Sequence, residues 1–352
     1  MINTLDKIEQ DFIESLDNIV AFIDLIDLIK SKNFDYMKKS KFYKDTDGSF
    51  NTIKDFLNNT KIVQYNAIII SLYGAYELSI KKATNTFIKF SVNNEFPLTH
   101  KLTKNYLLSV SKTFEKNNAQ KNKDIIKDLN SFLNENDMSK FQSELSLNNY
   151  QNLKIATVQE ISKLIEINNL ENNIKHTLDF EEYIKERENL SSIEQAVKYI
   201  DILNNPFNLI DDIVDSRNRI AHRGFEENML DNDMLKGVVI KEFKVFVLNY
   251  IYLLKNAWYE ECLKQGKNIE ELQILKIFNN NIICFNTKNI SVSKKNVILV
   301  KDGKNRCKFG QILSIQHDNE EIEISLNNQN IGCKLDVTCK DNFKYFIYCP
   351  SW

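Results

Sequence analysis

The residues best suited to chemistry fall in one short stretch, Ser216-Arg217-Asn218-Arg219-Ile220-Ala221-His222-Arg223-Gly224. Three arginines and a histidine lie within seven residues, at the end of an apolar-periodic segment and just before a glycine. The other histidines, His100, His176 and His317, have no such setting. An imidazole among guanidinium donors suits proton transfer beside a phosphate. Arg217 can hold a phosphate through two donors while His222 acts as general base or acid on an RNA 2′-hydroxyl or on the leaving oxygen. Asn218 lies four residues before His222 and shares its helix face, so the two are expected to hydrogen-bond. Arg217 and His222 are separated by about 140° of rotation on a regular helix. The expectation is therefore that the turn loosens ahead of Gly224, a natural helix stop, or that the pair meets across a dimer. The plain alternative is a charged helix C-terminus, where basic side chains are favoured by the dipole.

Other charged residues divide in the same way. Asp211, Asp212 and Asp215 precede the cluster and can pair with Arg219 or Arg223 at helical spacing, leaving these arginines as partners of acids or as contacts to a nucleic-acid backbone. Glu77 stands beside an apolar stripe, either salt-bridged to a neighbouring helix or orienting an active-site Arg or His. From His100 to Lys123 there are six lysines against one acid, Glu115. That reads as a partly irregular, solvated excursion or as a patch attracting phosphates.

The elements that position these residues are mostly helical. Leu5, Ile8, Phe12, Leu16, Ile19, Ile23, Ile26 and Ile29 define one long amphipathic helix over 4–30. Asp45 to Ser49 reads as a turn. Tyr65, Ile69, Leu72, Tyr76, Ile80, Ala83 and Phe87 define a second helix over 62–90. Helices are expected over 123–134, over 157–168 behind a Thr157/Glu160 capping box, over 179–188, and from Ser191 with Glu194 completing another box. After Pro206, residues 207–221 carry the basic cluster on their last turn. A final long helix over 230–262 faces Leu235, Val239, Phe243, Phe246, Tyr250, Leu253 and Ala257 inward. Beyond it, short alternating runs at 290–301, 308–316, 321–326, 331–337 and 343–349 are separated by turns such as Asp302 to Asn305. They predict a small antiparallel β-barrel. The fold class is thus mainly α, a helical bundle over 1–265, a linker over 266–287 and a β-barrel over 288–352.

Composition narrows the partners. A formal net charge of −2 excludes a globally cationic nucleic-acid coat, so any polyanion site is a local patch. Only three prolines and eight glycines favour long helices with short connections. The opening Met1-Ile2-Asn3 runs directly into an amphipathic helix pattern, and no apolar run is long enough to span a bilayer. A cytoplasmic protein without a membrane segment is expected. The six cysteines, with no Cys-x-x-Cys pair, read as reduced buried thiols. No cofactor and no metal are expected.

Arg217-Asn218-Arg219-Ile220-Ala221-His222 resembles the signature of HEPN-superfamily ribonucleases, an Arg and a polar residue followed at short distance by His. Leu72-Tyr73-Gly74-Ala75-Tyr76-Glu77 resembles a helix of the RiboL-PSP-type HEPN group, and Asn152-Leu153-Lys154 with Glu160-Ile161 resembles another of its segments. The resemblance spans roughly residues 1–262. It implies a helical bundle that dimerises and a metal-independent endoribonuclease, typically in a toxin or phage-defence system with an antitoxin or defence partner. Arg217 and His222 carry over as the catalytic pair and Asn218 as the supporting residue, and Glu77 matches the family's helix pattern. Arg219 and Arg223, from their own positions beside the motif, are expected with Glu77 on the substrate side. The alternative is a non-catalytic HEPN-like module that binds RNA or a nucleotide and recruits a partner through the barrel. Gly310 to Gln316, with Ile331 to Leu335, resembles the barrel second domain of translation GTPases, which implies docking on tRNA, the ribosome or a protein.

Overall fold

In the computed structural model the described residues are 1–39, 49–114, 119–134, 140–224, 226, 228–301 and 307–349. The turn expected at 302–305 and residues 45–48 of the turn expected at 45–49 lie outside them, and Ser49 begins a helix. The chain forms two compact units, Met1–Leu254 and Lys255–Trp352.

The first unit is helical. Helices α1 (Ile2–Lys39) and α2 (Ser49–Asn93) pack along each other, burying Leu5, Ile8, Phe12, Leu16, Ile19, Ile23 and Ile26 from α1 and Tyr65, Ile69, Leu72, Tyr76, Ile80, Ala83 and Phe87 from α2. Ile29, expected on the same stripe, is exposed. The lysine-rich segment is more ordered than the sequence suggests, with α3 (His100–Phe114) and α4 (Ala119–Asn134) lying on either side of 115–118. Tyr106 of α3 packs edge-on against Phe132 of α4, with ring centroids 5.6 Å apart, so the two helices bury these rings while Lys101, Lys104, Lys112, Lys123 and Lys127 are exposed.

Next come α5 (Ile155–Leu164), α6 (Leu170–Lys175), α7 (Leu178–Arg187), α8 (Ile193–Ile202) and α9 (Asn208–Arg223). Two of the expected caps are replaced. α5 begins before Thr157, whose hydroxyl donates back to the Asn152 carbonyl, so no Thr157/Glu160 box forms. α8 is capped one residue later than expected, by Ser192 accepting from the Gln195 N–H, while the Gln195 side chain accepts from the Ser191 N–H. At α5 the acceptor comes from another helix, Asp211 Oδ1 taking the Ile155 N–H, whereas at α8 the local pattern holds but begins at Ser192 with Gln195 in place of Glu194. A three-residue α10 (Asn232–Met234) and a π turn (Leu235–Val239) lead into α11 (Ile240–Gln265). On α11, Leu254 and Trp258 are buried, while Leu253 and Ala257, expected to face inward, are only half-buried.

The buried carboxylate of Glu242, on α11, sits at the start of α9. Phe207, the N-cap residue of α9, supplies no side-chain oxygen. Glu242 does so from the neighbouring helix. Its Oε1 accepts the Ile210 N–H at 3.2 Å, and its Oε2 accepts from Tyr183 Oη at 2.9 Å and Arg187 Nη1 at 3.2 Å. Two of these partners come from α7, so one carboxylate ties three helices together. Phe207 packs between Phe180 and Phe246, with ring centroids at 4.8 and 5.1 Å.

The second unit comprises the end of α11 and an antiparallel sheet curled into a half-barrel. Its strands are β1 (Ile269–Glu271), β2 (Ile274–Phe278), β3 (Ile282–Asn286), β4 (Val297–Lys301), β5 (Cys307–His317), β6 (Glu320–Ile322), β7 (Asn330–Leu335) and β8 (Lys344–Tyr348). The order is β1-β8-β4-β5-β7-β3-β2, with β6 paired to β5. Residues 266–287, read from the sequence as a linker, hold three of these strands. A register shift between Ile274 and Lys276 and the exposed apolar Leu275 and Phe278 break the period-two alternation there, which hides the pattern. The inner face buries Ile283, Phe285, Ile298, Val300, Ile312, Ile315, Ile331, Cys333, Leu335, Tyr345 and Ile347. Gly310 is required by close approach: a Cβ there would lie 2.5 Å from Val337 Cγ2. Cys262, Cys284, Cys333, Cys339 and Cys349 are free thiols.

Burial pushes the Glu242 carboxyl up to about 7, against the pull of Tyr183, Arg187 and the α9 amides. A carboxyl raised on folding contributes most stability below its unfolded value, and that contribution fades as pH rises through the folded value. Between pH 5 and 7 the protein should therefore lose roughly 5 °C of melting temperature. Glu242→Gln should flatten that slope in thermal melts followed by circular dichroism.

Candidate active site

α9 carries the whole basic cluster, and it remains regular to its end. Gly224 takes the left-handed conformation at φ 83° and its N–H donates to the Ile220 carbonyl at 2.8 Å. This αL cap satisfies a carbonyl that a loosened turn would leave open. The expected loosening before Gly224 is therefore absent. Arg217 and His222 remain about 140° apart around the axis, with about 7.5 Å of rise between them.

The connection after α9 is fastened to the bundle. Asn66 Nδ2 of α2 donates to the Gly224 carbonyl at 2.9 Å. Arg219 Nε donates to Glu226 Oε2 at 2.7 Å, and Arg219 Nη2 donates to Ser216 Oγ at 2.9 Å. Glu226 is almost wholly buried, and its Oε1 accepts the Asn228 N–H at 3.1 Å. Burial alone would raise the Glu226 carboxyl, but Arg219, the Asn228 amide and Ser216 outweigh it and hold the carboxyl below its ordinary range. Arg219 thus spends its guanidinium on fastening the chain reversal, with 41% of its side chain still exposed to solvent.

Arg217 lies against α2. Its guanidinium carbon stands 4.9 Å from the Tyr73 ring centroid, and Nη1 donates to Asn218 Oδ1 at 3.1 Å. Asn218 therefore orients Arg217, and the expected Asn218–His222 hydrogen bond is replaced by this one. The Tyr73 hydroxyl accepts the Leu153 N–H at 3.3 Å and is hydrogen-bonded to Glu77. Burial is the main reason its hydroxyl is held above the usual phenol range. Glu77 in turn accepts from Lys81 Nζ at 2.7 Å, one turn on along the same helix. Glu77, Tyr73, Arg217 and Asn218 form one connected array, with the tyrosine ring as the floor under the guanidinium.

His222 and Arg223 project from the last turn into solvent, without hydrogen-bond or ion-pair partners among the described residues. Side-chain donors for a phosphate are thus available at this end of the helix. The acids expected to neutralise the cluster are used elsewhere. Asp211 Oδ1 accepts the Ile155 N–H at 2.8 Å, capping α5, and Asp215 pairs with Lys154 at 2.7 Å. Asp212 is exposed, and its carboxyl is raised by partial burial and by Asp215 and Asp211 nearby. Among the described residues no group of three or more His, Cys, Asp or Glu side chains converges as a metal site.

The sequence did not single out Tyr73, Asn66 or Glu226. Tyr73 had a signal, its place four residues before Glu77 on the same face. Glu226 had little, because a partner seven residues after Arg219 across a chain reversal follows no helical spacing rule.

The helical unit ends α9 in the Arg-Asn-x-x-x-His sequence that carried the HEPN resemblance. A RiboL-PSP-HEPN family model matches residues 39–260, and the chain belongs to that family. No curated protein matches it.

Two substitutions test how the helix end is held. Gly224→Ala should destabilise the protein by about 1 kcal/mol in urea denaturation, from backbone strain alone, since a Cβ there meets nothing within 4 Å. Glu226→Gln should cost about 1.5 kcal/mol at neutral pH. Because its carboxyl is depressed on folding, that difference should vanish as pH falls below the ordinary carboxylate range.

Proposed function

We propose that this protein is a HEPN-type endoribonuclease that cleaves RNA by transesterification, with Arg217 and His222 as its catalytic pair. The observation that carries this reading is the helix end itself: a solvent-facing His222 with Arg223 beside it and a preorganised Arg217. In a family that includes ribonucleases, this is a constellation for proton transfer at a phosphodiester. His222 takes the proton of a 2′-hydroxyl, the 2′-oxygen bonds to phosphorus, and the bond to the 5′-oxygen breaks. The products are a 2′,3′-cyclic phosphate and a 5′-hydroxyl, the leaving oxygen receiving a proton from a second donor. Arg217 neutralises charge developing on the phosphoryl oxygens, Asn218 and Tyr73 hold its plane, and Glu77 fixes Tyr73. Arg223 and the exposed side of Arg219 attract the RNA backbone. The mechanism asks for no metal ion.

Arg217 and His222 project from different sides of α9. A homodimer supplies the missing convergence, with Arg217 from one protomer serving the His222 site of its partner. Support comes from the exposed side of α2 next to the helix end, where Val63 and Ile70 stand out and Gly74 leaves a low point for close approach. α2 runs antiparallel to α9 there, as the contacts of Asn66 with Gly224 and Tyr73 with Arg217 show. A toxin or phage-defence role in the cytoplasm, held in check by an antitoxin or defence partner, fits such an activity.

Incubating total RNA with the protein in EDTA should give cleavage with 2′,3′-cyclic phosphate ends. His222→Ala and Arg217→Ala should each lower the rate at least roughly 100-fold with unchanged melting curves. Wild-type rates in both variants would end this reading. RNA or nucleotide binding without turnover, indifferent to His222→Ala, would establish a binding module instead.

A further inference from the structure

The outer face of the curled sheet is divided into two halves. On β4, β8 and the first half of β5 it is covered by the end of α11. The Tyr259 ring lies 5.3 Å from Phe309 and 5.2 Å from Tyr348, and Asn256 accepts the Phe309 N–H. Leu299, on the same face, is fully buried. On β2, β3 and β7 the outer face lies open. The register sets Lys276 beside Cys284 and Gly332, and Phe278 beside Ile282 and Lys334.

This open half has an unusual composition. Phe278 is 43% exposed, a large aromatic ring left in water. Lys276 Nζ stands 4.6 Å from its centroid, and Lys334 is exposed on the same row two strands away, about 10 Å across the sheet. No Asp or Glu occurs on β2, β3 or β7. Glu321, on β6 at the far side of β5, pairs with Lys294 at 3.0 Å. Gly332 leaves the floor between Lys276 and Lys334 low. Asn286 and Asn330, hydrogen-bonded to each other at 2.9 Å, border it with amide groups.

An exposed ring flanked by cations on an acid-free pleated surface has the physical requirements of a stacking platform for unpaired bases. The ring takes a base face, the lysines take the adjoining phosphates, and neither demands a particular sequence. A protein partner would be served by a broader apolar surface, and a duplex would keep its base faces from Phe278.

We propose that the β2-β3-β7 face binds single-stranded RNA, with Phe278 stacking on a base and Lys276 and Lys334 contacting the phosphates on either side. RNA as the ligand rests on the ribonuclease reading above, but binding is measured without turnover, so the two can fail separately.

The test uses the full chain carrying His222→Ala and a fluorescently labelled oligouridine, with affinity read by anisotropy over a salt series. Phe278→Leu should weaken binding roughly tenfold, since one stacked base is worth about 1–3 kcal/mol, while Phe278→Tyr should bind like the parent. Lys276→Ala with Lys334→Ala should also weaken binding and reduce the salt slope by about 1.4. An unchanged affinity in the Phe278→Leu and double-lysine variants overturns the proposal. So does equal loss in Phe278→Tyr, equal binding of a duplex, or no binding by the parent. If binding depends on Phe278 but the wild type cuts no RNA, only the ribonuclease reading falls. If the wild type cuts RNA and binding ignores Phe278, only the platform falls.

Discussion

The helical unit depends on how α9 is anchored at its N-terminus by Glu242. A helix start without a local cap leaves amide donors facing a dry interior, and an unpaired buried donor costs on the order of 1–3 kcal/mol. Here the acceptor comes from α11, and the same carboxylate receives Tyr183 and Arg187 from α7. Removing any one of the three donors leaves the buried carboxylate short of a hydrogen bond, and removing the carboxylate leaves all three donors without it. The direction of α9, and therefore the position of its far end, is set by helices that carry none of the chemistry.

At that far end the constraint is of another kind. Gly224 closes the helix, Asn66 ties its carbonyl to α2, and the Arg219–Glu226 pair folds the following chain back. The turn carrying His222 is consequently anchored while its imidazole stays in solvent. Arg217 is restrained by stacking and a hydrogen bond instead of by a carboxylate. That leaves its positive charge unneutralised for an anion, whereas a direct ion pair would compete with one. The acids that precede it on α9 serve the neighbouring segment: Asp211 caps α5 and Asp215 holds Lys154. Keeping the fixed pairs apart from the exposed cations gives a helix end that is both rigid and electropositive.

In the second unit the same economy appears in a sheet. One half of the outer face is sealed by aromatic packing from α11, and the other keeps a ring and two lysines in water. The inner face closes on an ordinary apolar core, so the outer residues of β2 and β7 are free of any packing duty.

The sequence by itself determined the long helices, the apolar stripes of α1 and α2, the all-antiparallel C-terminal region and the helix that carries Arg217, Asn218 and His222. These follow from local periodicity and from Gly224 as a stop, which need no knowledge of neighbours. The strands at 269–286 were hidden because a register shift between Ile274 and Lys276 breaks the alternation and because Leu275 and Phe278 are apolar yet exposed. Thr157 gave a false cap because a nearer acceptor set, Asp211 on another helix, met α5 first. Only the tertiary structure decided which acid goes with which base. Asp215 and Asp211 sit one and two turns from Arg219 in sequence, yet it is Glu226, beyond the end of the helix, that pairs with it. It also decided that α9 runs straight to Gly224, separating Arg217 from His222 around the axis. Pairings of that kind depend on where separate helices come to lie, and no spacing along one helix encodes that.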